Sequence, residues 1–332
     1  MKSAIAILGA GSWGTALAVH LSRSGRDVRL WARDADLVAA MQRAHSNPRY
    51  LPNIALESSV RLTADLDDAV SGASYVVLAV PSHGLRAVVR TVTGQLPAGA
   101  VLVSAAKGLE EGSLARMSQA IEAETGGTHP VVVLSGPSFA EEVARGLPTA
   151  VLAASADAKA VSGVQEHFRG PALRIYASDD VTGVEIGGAL KNVIAIAAGV
   201  VQGIGLGHNS MAALITRGLA EISRLANAEG GRRETLAGLA GLGDLVLTCT
   251  GDLSRNRRVG MQLGQGRALD EILSDLHMVA EGVRTTGVAL ALAARHGIEL
   301  PIACQMKQVL DGKSSPRAAV EALMVRKQKA ED

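Results

Sequence analysis

The feature that most constrains this chain is a glycine-rich turn between a short apolar run and a helical pattern near the N-terminus. The run Ala4–Leu8 is apolar enough to form a buried strand, and Gly9-Ala10-Gly11-Ser12-Trp13-Gly14 follows it directly. In this G-x-G-x-x-G pattern Gly9 permits the tight turn, Gly11 lets the backbone approach a pyrophosphate, and Gly14 lets the helix pack close to the strand. Free N–H groups at the start of the helix would complete an anion site. The pattern therefore predicts a dinucleotide-binding turn; a strand–helix turn that binds nothing is the alternative.

The first half of the chain alternates short apolar runs with helical patterns, which predicts a parallel sheet covered by helices on both faces. The predicted strands are Ala4–Leu8, Asp27–Trp31, Ser74–Val80, Ala100–Ser104 and Pro130–Leu134, with Thr149–Ala154 and Leu173–Tyr176 as extensions of the sheet. The predicted helices are Ser12–Ser24, Ala35–Arg43, His83–Thr93, Ser113–Glu124 and Asp157–His167.

From about Val181 the pattern changes to long Ala, Leu, Ile and Val repeats at helical spacing. Helices are predicted over Val184–Gln202, Ser210–Ala228, Thr286–His296 and Pro316–Arg326, and Ser178-Asp179-Asp180 can cap the first of them. A chain of 332 residues exceeds what one core usually organises. We therefore expect an α/β domain with a Rossmann-type, doubly wound parallel sheet over residues 1–182, and an all-α domain over residues 183–332.

Composition and charge exclude several classes of protein. The chain has 33 Lys and Arg against 32 Asp and Glu, a net charge of +1, and aromatic residues make up 2%. This balance argues against binding nucleic acid or a membrane surface through bulk charge, and it leaves few side chains for stacking bases. The longest apolar stretch, Val193–Leu206, is too short and too interrupted to cross a bilayer. Cys249 and Cys304 are far apart in sequence and are expected to be free thiols in a reducing cytoplasm.

The end of the second predicted strand bears on which dinucleotide is bound. An acidic residue there accepts a hydrogen bond from the ribose 2′-hydroxyl of NAD, whereas an arginine suits the 2′-phosphate of NADP. Arg33 and Asp34 are adjacent at this point of the chain. We favour Arg33 at the phosphate and hence NADPH; two solvated turn charges are the alternative.

Two lysines interrupt otherwise uncharged stretches. Lys107 follows a predicted strand, where ligands of open α/β sheets gather, and Lys191 lies in the middle of the first long helix. The helical neighbours of Lys191 include Gly187 and Ala195, so the lysine would project over a recess. Either amine is directed at a ligand, or its stem lies along close-packed helices with the head in water.

Three further segments carry polar groups suited to a ligand. Asp244 is the one acid in the apolar run Leu239–Cys249, where burial requires a hydrogen bond or a cation; a helix N-cap is its alternative role. Ser254-Arg255-Asn256-Arg257-Arg258 is a compact set of donors suited to phosphate, or a basic surface turn. Ser138 with Glu141 has the spacing of a capping box at a helix start.

In order and spacing these segments resemble one family, the bacterial-type NAD(P)-dependent glycerol-3-phosphate dehydrogenases, nearly end to end. The segments that carry the resemblance are Gly9–Gly14, Asn47–Pro52, Val80–Ser82, Lys107–Glu110, Gly136–Ala140, Gly188–Asn192, Gly241–Leu245, Ser254–Arg257 and Ala280–Gly282. The resemblance implies reversible reduction of dihydroxyacetone phosphate to sn-glycerol 3-phosphate for phospholipid synthesis in the cytoplasm. It also implies a C-terminal domain like that of 6-phosphogluconate dehydrogenase, an active site between the domains, a homodimer and no metal ion.

The resemblance further assigns roles to matching positions. Lys191 is the implied proton acceptor and donor. The implied substrate contacts are Lys107, Gly136, Ser138, Lys191, Asp244, Ser254, Arg255 and Asn256. The implied cofactor contacts are Gly9, Gly11, Ser12, Trp13, Gly14, Arg33, Lys107, Ala140, Arg255, Val279 and Glu281, for NADP or NAD.

Two other accounts compete with this interpretation. A related two-domain NAD(P)-dependent dehydrogenase acting on a β-hydroxy acid or sugar acid would also combine a Rossmann domain, helices and a catalytic lysine. A non-catalytic NAD(P)-sensing module would bind the cofactor without turning over any ketone, and it would leave Lys191 and Asp244 without a role.

Overall fold

The computed structural model of the protein describes residues 4–276 and 279–327, which form two compact units. One unit comprises the residues up to Glu110 together with Ala115–Glu185, and the other comprises Glu111–Leu114 and the chain from Ile186 onward. The division falls inside a long helix, Val181–Gly203. The predicted domain boundary, after residue 182, lies in the first turn of the same helix.

The first unit is built on a twisted sheet whose strand order is β10-β9-β8-β7-β6-β1-β2-β5. Its strands are β1 Ala4–Leu8, β2 Asp27–Trp31, β5 Val60–Thr63, β6 Ala73–Leu78, β7 Val101–Ser104, β8 Val131–Ser135, β9 Thr149–Ala154 and β10 Leu173–Ser178, and a separate antiparallel pair consists of β3 Ser46–Asn47 and β4 Leu51–Ala55. Every residue of β1 is buried because alternate side chains enter two different cores. Ile5 and Ile7 pack on one face, and Ala6 and Leu8 pack on the other, as in a doubly wound fold.

Helices cover both faces of this sheet. They are α1 Ser12–Arg23, α2 Ala35–Ala44, α3 Leu66–Val70, α4 Ser82–Val92, α5 Met117–Thr125, α6 Ala140–Arg145 and α7 Ala158–Phe168, with a 3₁₀ turn at Thr93–Gln95. The predicted Rossmann-type architecture is therefore confirmed.

Several local features differ from the prediction, and the short elements β3, β4 and α3 were not predicted. Strands β9 and β10 do extend the sheet, but β9 pairs antiparallel with β8, because an apolar run has the same appearance in either direction. The edge strand β5 was not predicted. The helix predicted from Ser113 begins only at Met117, because residues before it form a bridge between Leu109 and Arg116 and Leu114 adopts a φ of 63°.

The second unit is helical, as predicted. Its helices are α8 Val181–Gly203, whose first turn lies in the first unit, α9 His208–Ala228, α10 Arg233–Ala237, α11 Asp244–Thr250, α12 Arg255–Gly264, α13 Leu269–Asp275, α14 Glu281–Arg295, α15 Pro301–Leu310 and α16 Pro316–Met324, with a π-helical turn at Leu239–Gly243. The side chain of Asp180 accepts a hydrogen bond from the Gly183 N–H at 2.8 Å, so it caps α8 as expected. By length and composition α8 could cross a membrane, but its apolar window is buried inside the protein.

Glycines let α8 and α12 approach until their backbones are in contact. A Cβ atom at Gly199 would lie 2.0 Å from the Arg257 carbonyl oxygen, and one at Gly260 would lie 1.9 Å from the Ile196 carbonyl oxygen. Any side chain at these positions would force the helices apart. Close packing is therefore present along the second half of this helix, and it holds the start of α12 against α8. The alternative that placed the head of Lys191 in water is wrong, because this side chain is buried.

A buried carboxylate on α9 holds the start of α15. Glu221 accepts hydrogen bonds from the N–H groups of Ile302, at 2.6 Å, and Ala303, at 3.3 Å. Burial raises the pKa of this carboxyl to about 7, although the two N–H groups and the charges of Arg224 and Arg326 lower it. The folded state therefore binds the proton more tightly than the unfolded chain does.

This shift predicts a pH-dependent contribution to stability. The contribution of Glu221 is complete below its unfolded pKa of 4.5 and is lost as the pH rises through about 7. The side chain in Glu221→Gln is neutral at every pH. Between pH 4.5 and 8 the free energy of unfolding of the wild type should therefore fall by up to about 3 kcal/mol relative to that of this variant. Urea unfolding across this range measures the difference. Glu122→Gln, an exposed position on α5, is the control, and a constant difference between wild type and Glu221→Gln would contradict the prediction.

Candidate functional site

In the first unit, the glycine-rich turn follows β1 with the close approaches expected of its outer glycines. Gly9 has a φ of +122°, and a Cβ atom there would lie 2.7 Å from the Ala79 carbonyl oxygen. A Cβ atom at Gly14 would lie 1.9 Å from the Gly9 carbonyl oxygen. Gly11 differs, because its Cβ would meet no atom within 4 Å. The turn is thus tight at both ends and open at its centre.

The open centre leads into a helix start that suits an anion. Gly11 is the N-cap of α1, where no side chain caps the helix and the first turn carries no acidic residue. The indole Nε1–H of Trp13 is buried without a hydrogen-bond partner among the described residues. Uncapped N–H groups and the positive end of the helix dipole attract a pyrophosphate. The residues at Gly9–Gly14 therefore fit the cofactor that the sequence pattern predicts.

The end of β2 separates the roles of Arg33 and Asp34. One oxygen of Asp34 accepts from the N–H groups of Asp36 and Leu37 and so caps α2, while the other bonds Arg49 at 2.9 Å. The Leu37 N–H and the Arg49 guanidinium lower the pKa of Asp34, which is therefore ionised and engaged. Arg33 is exposed. The acid is thus occupied in local structure, and the arginine is available to a phosphate.

Lys107, Gly136 and Ser138 come together beyond the ends of β7 and β8. The Lys107 ammonium donates to the Gly136 carbonyl oxygen at 2.8 Å and to Ser138 Oγ at 3.3 Å. Gly136 has a φ of +123°, and a Cβ atom there would lie 3.2 Å from Val151 Cα, so only glycine fits. The ends of adjacent strands therefore bring one ammonium and one hydroxyl to the same place.

The capping box predicted at Ser138 is wrong. The N-cap of α6 is Phe139, and the Ser138 hydroxyl donates instead to the Gly136 carbonyl oxygen at 2.8 Å. Ala140, an implied cofactor contact, is the first residue of this helix. Ser138 is thus tied to the glycine turn rather than to the helix.

In the second unit, Lys191 and Asp244 form a buried ion pair. Lys191 Nζ lies 2.5 Å from Asp244 Oδ1, and the side chains are 7% and 1% exposed. The ammonium also donates to Thr248 Oγ at 3.0 Å, while the Thr248 hydroxyl donates to the Asp244 carbonyl oxygen at 2.6 Å. A carboxylate this close to an amine in a buried site favours the charged ammonium form.

The apolar run around Asp244 folds so that its acid faces α8. A Cβ atom at Gly187 would lie 2.9 Å from the Ala240 carbonyl oxygen, so the π-helical turn Leu239–Gly243 fills the recess predicted there. The alternative role of Asp244 as an N-cap is wrong, since the N-cap of α11 is Gly243. Nearby, burial raises the pKa of the Cys249 thiol to about 12, so this thiol stays neutral beside the ion pair.

The basic segment at the start of α12 is held by two of its own polar side chains. Ser254 is the N-cap, and its Oγ accepts from the Arg257 N–H at 3.2 Å. Asn256 Nδ2 donates to Asn192 Oδ1 at 2.9 Å, and Asn256 Oδ1 accepts from the Gly282 N–H at 3.0 Å. The carboxamide of Asn256 therefore links α8, α12 and α14.

The hydrogen bonds of Asn256 bring together the neighbours of three residues that the resemblance assigns to ligand contacts. Asn192 follows Lys191, Asn256 follows Arg255, and Gly282 follows Glu281, the first residue of α14. Val279 precedes that helix and is partly buried. By contrast, the side chain of Arg257 is buried, and its guanidinium pairs with Asp252 at 2.8 Å. Arg257 is therefore a poor candidate for binding a ligand.

Three residues with evident roles in these arrangements were not singled out from the sequence as site residues. Thr248 bonds Lys191, and Asn192 bonds Asn256. Asn47 bonds the glycine-rich turn itself, through the Ala10 carbonyl oxygen at 2.8 Å. Thr248 could have been found from its helical spacing of four residues from Asp244. Asn47 belongs to the segment Asn47–Pro52, which carries part of the family resemblance but suggests no chemical role by itself.

Comparisons with known proteins agree with this architecture. Sequence models of the N-terminus and C-terminus of NAD-dependent glycerol-3-phosphate dehydrogenase match residues 4–161 and 180–321. The chain is 52% identical over 326 residues to glycerol-3-phosphate dehydrogenase (NAD(P)+) of Moorella thermoacetica, covering 98% of this chain and 97% of that protein. A crystal structure of glycerol-3-phosphate dehydrogenase from Coxiella burnetii superposes with a TM-score of 0.94 at 43% identity, covering 98% of this chain and 99% of that one.

A Rossmann-type unit with a glycine-rich turn, continued by a helical unit with a buried lysine, defines the class of two-domain NAD(P)-dependent dehydrogenases. Solved structures of low sequence identity share the fold alone with this chain. The 3-hydroxyisobutyrate dehydrogenase of Mycobacterium tuberculosis is 13% identical with a TM-score of 0.53. The full-length matches are more specific, and the chain belongs to the NAD-dependent glycerol-3-phosphate dehydrogenase family.

The open centre of the turn predicts the effect of one added methyl group. Gly11→Ala should fold normally, because its Cβ meets no protein atom, but the methyl would occupy the space of the bound pyrophosphate. We expect the Kd for NADPH to rise at least about tenfold, with an unchanged melting temperature. A fluorescence titration of NADPH measures this.

Gly94→Ala is the matched control, because its Cβ would likewise meet no atom within 4 Å. Gly94 lies in the 3₁₀ turn Thr93–Gln95 after the C-terminus of α4, whereas the carboxyl end of β6 precedes the N-terminus of that helix. If Gly11→Ala bound NADPH as tightly as the wild type and Gly94→Ala, the dinucleotide would not bind at this turn.

Proposed function

We propose that this chain is an NAD(P)-dependent sn-glycerol-3-phosphate dehydrogenase that reversibly reduces dihydroxyacetone phosphate to sn-glycerol 3-phosphate. In this proposal residues 1–182 form the nucleotide-binding domain, and residues 183–332 form the substrate-binding domain and supply the proton-transfer group. Each domain also contributes some contacts to the other ligand. The observation that carries the proposal is the buried Lys191–Asp244 pair in a chain of this family. Burying two charges inside an apolar helical unit costs desolvation free energy, and a catalytic role would explain why both are present.

Lys191 is the proposed proton donor and acceptor at the substrate oxygen. When bound, the nicotinamide would supply a hydride to the ketone carbon in reduction and would accept a hydride from the alcohol carbon in oxidation. In reduction the Lys191 ammonium donates a proton to the carbonyl oxygen, which leaves a neutral amine and an alcohol. In oxidation the neutral amine takes the proton of the hydroxyl group.

Asp244 and Thr248 set the resting state for that transfer. The carboxylate stabilises the ammonium electrostatically, and the hydroxyl fixes its direction. The charged resting form is the one that reduction uses, whereas oxidation must first remove a proton that Asp244 helps to retain. The same group gives the proton in reduction and takes it back in oxidation, so the pair serves both directions of the reaction.

The phosphate of the substrate is assigned to Arg255 and the start of α12. A guanidinium can bond two phosphate oxygens, and the N-terminus of a helix adds N–H groups and a favourable dipole. Ser254 and Asn256 support this assignment as residues that hold the segment, through the cap and the link to Gly282. Lys107, with Gly136 and Ser138, is proposed to contact substrate and cofactor from the first unit.

The proposed cofactor is NADPH in preference to NADH, with Arg33 at the 2′-phosphate. Gly9, Gly11, Ser12, Trp13 and Gly14 would hold the pyrophosphate. Ala140, Arg255, Val279 and Glu281 are the other proposed cofactor contacts. The engaged carboxylate of Asp34 supports the preference, because an acid paired with Arg49 accepts a ribose hydroxyl less readily.

We further propose a homodimer that works in the cytoplasm and supplies the glycerol phosphate backbone of phospholipids. The support is the resemblance to bacterial members of the family rather than any contact in this chain. Sedimentation analysis of the purified protein would measure its mass in solution.

Catalysis by Lys191 predicts a loss of turnover without a loss of cofactor binding. The wild type should oxidise NADPH with dihydroxyacetone phosphate and show little activity with β-keto acids. Lys191→Ala should lose roughly 10²-fold or more in kcat, because the general acid is gone, with the Kd for NADPH unchanged. Absorbance of NADPH at saturating substrate measures turnover.

The controls separate chemistry from folding. Lys159→Ala removes an exposed lysine of α7 and should behave as the wild type. Since Lys191→Ala leaves a buried carboxylate unpaired, the double variant Lys191→Met with Asp244→Asn restores neutrality and should be equally inactive. Near-normal turnover in either variant would remove Lys191 from the role, and faster turnover on a β-keto acid would favour a hydroxyacid dehydrogenase.

The assignment of Arg33 predicts a change that affects one cofactor only. Arg33→Ala should lower kcat/KM for NADPH about tenfold, because one charge-assisted contact to the 2′-phosphate is lost, and leave kcat/KM for NADH nearly unchanged. Steady-state rates with each cofactor measure the ratio. Arg43→Ala, an exposed arginine in the last turn of α2, is the control. Equal losses with both cofactors would contradict the assignment.

A further inference from the structure

The segment Asn47–Pro52 has no role in the proposed reaction, yet its first residue is buried against the glycine-rich turn. We propose that Asn47 is a positioning residue for nucleotide binding, whose carboxamide holds the Ala10 carbonyl and so directs the Gly11 N–H to the open side of the turn. The inference rests on the proposed placement of the dinucleotide at Gly9–Gly14. Asn47 itself touches neither cofactor nor substrate in this proposal.

The carboxamide of Asn47 uses both of its ends. Nδ2 donates to the Ala10 carbonyl oxygen and to Thr15 Oγ1, each at 2.8 Å, and Oδ1 accepts from the Tyr50 N–H at 3.1 Å. The side chain is fully buried, with 0% of the residue exposed. In a buried site a lost hydrogen bond is not replaced by water, so each of these contacts is strongly maintained.

The bond to Ala10 determines where the next donor points. The Ala10 carbonyl and the Gly11 N–H belong to one planar trans peptide, so they point in opposite directions. With the carbonyl held by Asn47, the N–H is directed away from the segment Asn47–Pro52. A Cβ at Gly11 would meet no atom within 4 Å, so there is open space beside this residue. Rotation of this peptide would present a carbonyl oxygen, which repels a phosphate.

A second bond ties the same segment to the start of α1. Ser12 Oγ donates to the Tyr50 carbonyl oxygen at 2.9 Å, while Tyr50 N–H is the group that Asn47 Oδ1 accepts from. The bond to Thr15 reaches the end of the first helical turn. The turn is therefore anchored at Ala10, Ser12 and Thr15 before any ligand arrives, which reduces the ordering cost of binding.

The chemistry of the position explains why asparagine is required. The site needs two donors and one acceptor without a net charge, and a carboxamide supplies all of them. Aspartate would place a carboxylate against the Ala10 carbonyl oxygen, and glutamine is longer by one methylene in a site with no exposed surface. The surrounding residues thus depend on both the length and the polarity of Asn47.

The test is the affinity of Asn47→Ala for NADPH, measured directly by fluorescence titration rather than by turnover. We expect the Kd to rise about tenfold, since a pre-ordered donor is lost. In the same variant kcat at saturating NADPH and KM for dihydroxyacetone phosphate should stay within about twofold of the wild type, because only nucleotide binding is affected. Asn53→Ala, an exposed asparagine in β4, is the matched control.

A second variant covers the case in which Asn47→Ala does not fold. Thr15→Val preserves shape and the bond between Asn47 and Ala10 but removes one acceptor, and it should raise the Kd by about threefold. An unchanged Kd in a folded Asn47→Ala, or in Thr15→Val where the first variant does not fold, overturns the inference. So does an equal rise of KM for dihydroxyacetone phosphate, which would indicate general disruption.

Gly11→Ala distinguishes the inference from the proposed function on which it depends. If Gly11→Ala weakens NADPH binding and Asn47→Ala does not, the nucleotide binds at the turn but Asn47 does not position it. If neither variant weakens binding, the nucleotide lies elsewhere, and both the placement and the inference are wrong. Weakened binding in both supports both.

Discussion

The hydrogen-bonded ion pair between Lys191 and Asp244 is the interaction on which the proposed chemistry depends. Removing either partner would leave a buried charge uncompensated, and a pair of apolar residues would be a less costly way to fill the space. The pair is held by backbone contacts around it, since Gly187 admits the Ala240 carbonyl and the π-helical turn carries Asp244 toward α8. A lysine kept charged and oriented in this way is prepared to give a proton to a substrate oxygen.

Close backbone approach at glycines supports each of the two units. In the first unit the Gly9 carbonyl oxygen packs against the Cα of Gly14, where a side chain would not fit, and this tightens the turn that precedes α1. In the second unit Gly199 and Gly260 bring the second half of α8 into contact with α12. The two cases use the same physical device, because a missing Cβ is the only way for carbonyl oxygens to come so near another backbone. The second case holds the start of α12, and with it Arg255, against α8.

Buried carboxamides connect the segments that glycines bring together. Asn47 links the segment after α2 to the glycine-rich turn, and Asn256 links α12 to Asn192 and to the start of α14. A carboxamide donates and accepts at once and carries no charge, so it can join two polar groups inside the protein without the desolvation cost of an ion. Both asparagines stand next to candidate ligand-binding residues, so their bonds set the geometry of those neighbours.

The sequence by itself determined the order of strands and helices in the first half, the change to helices in the second, and the chemical types of most candidate residues. Those features depend on local periodicity and on motif spacing, which lie within a few residues of one another. It did not determine the antiparallel direction of β9, the unpredicted edge strand β5, or the late start of α5, because strand pairing and turn geometry depend on distant neighbours. Nor did it decide the partner of Asp244, which is Lys191, 53 residues away in the chain. Only the tertiary structure brings together groups so far apart, since their contact arises from helix packing and not from any local preference of the chain.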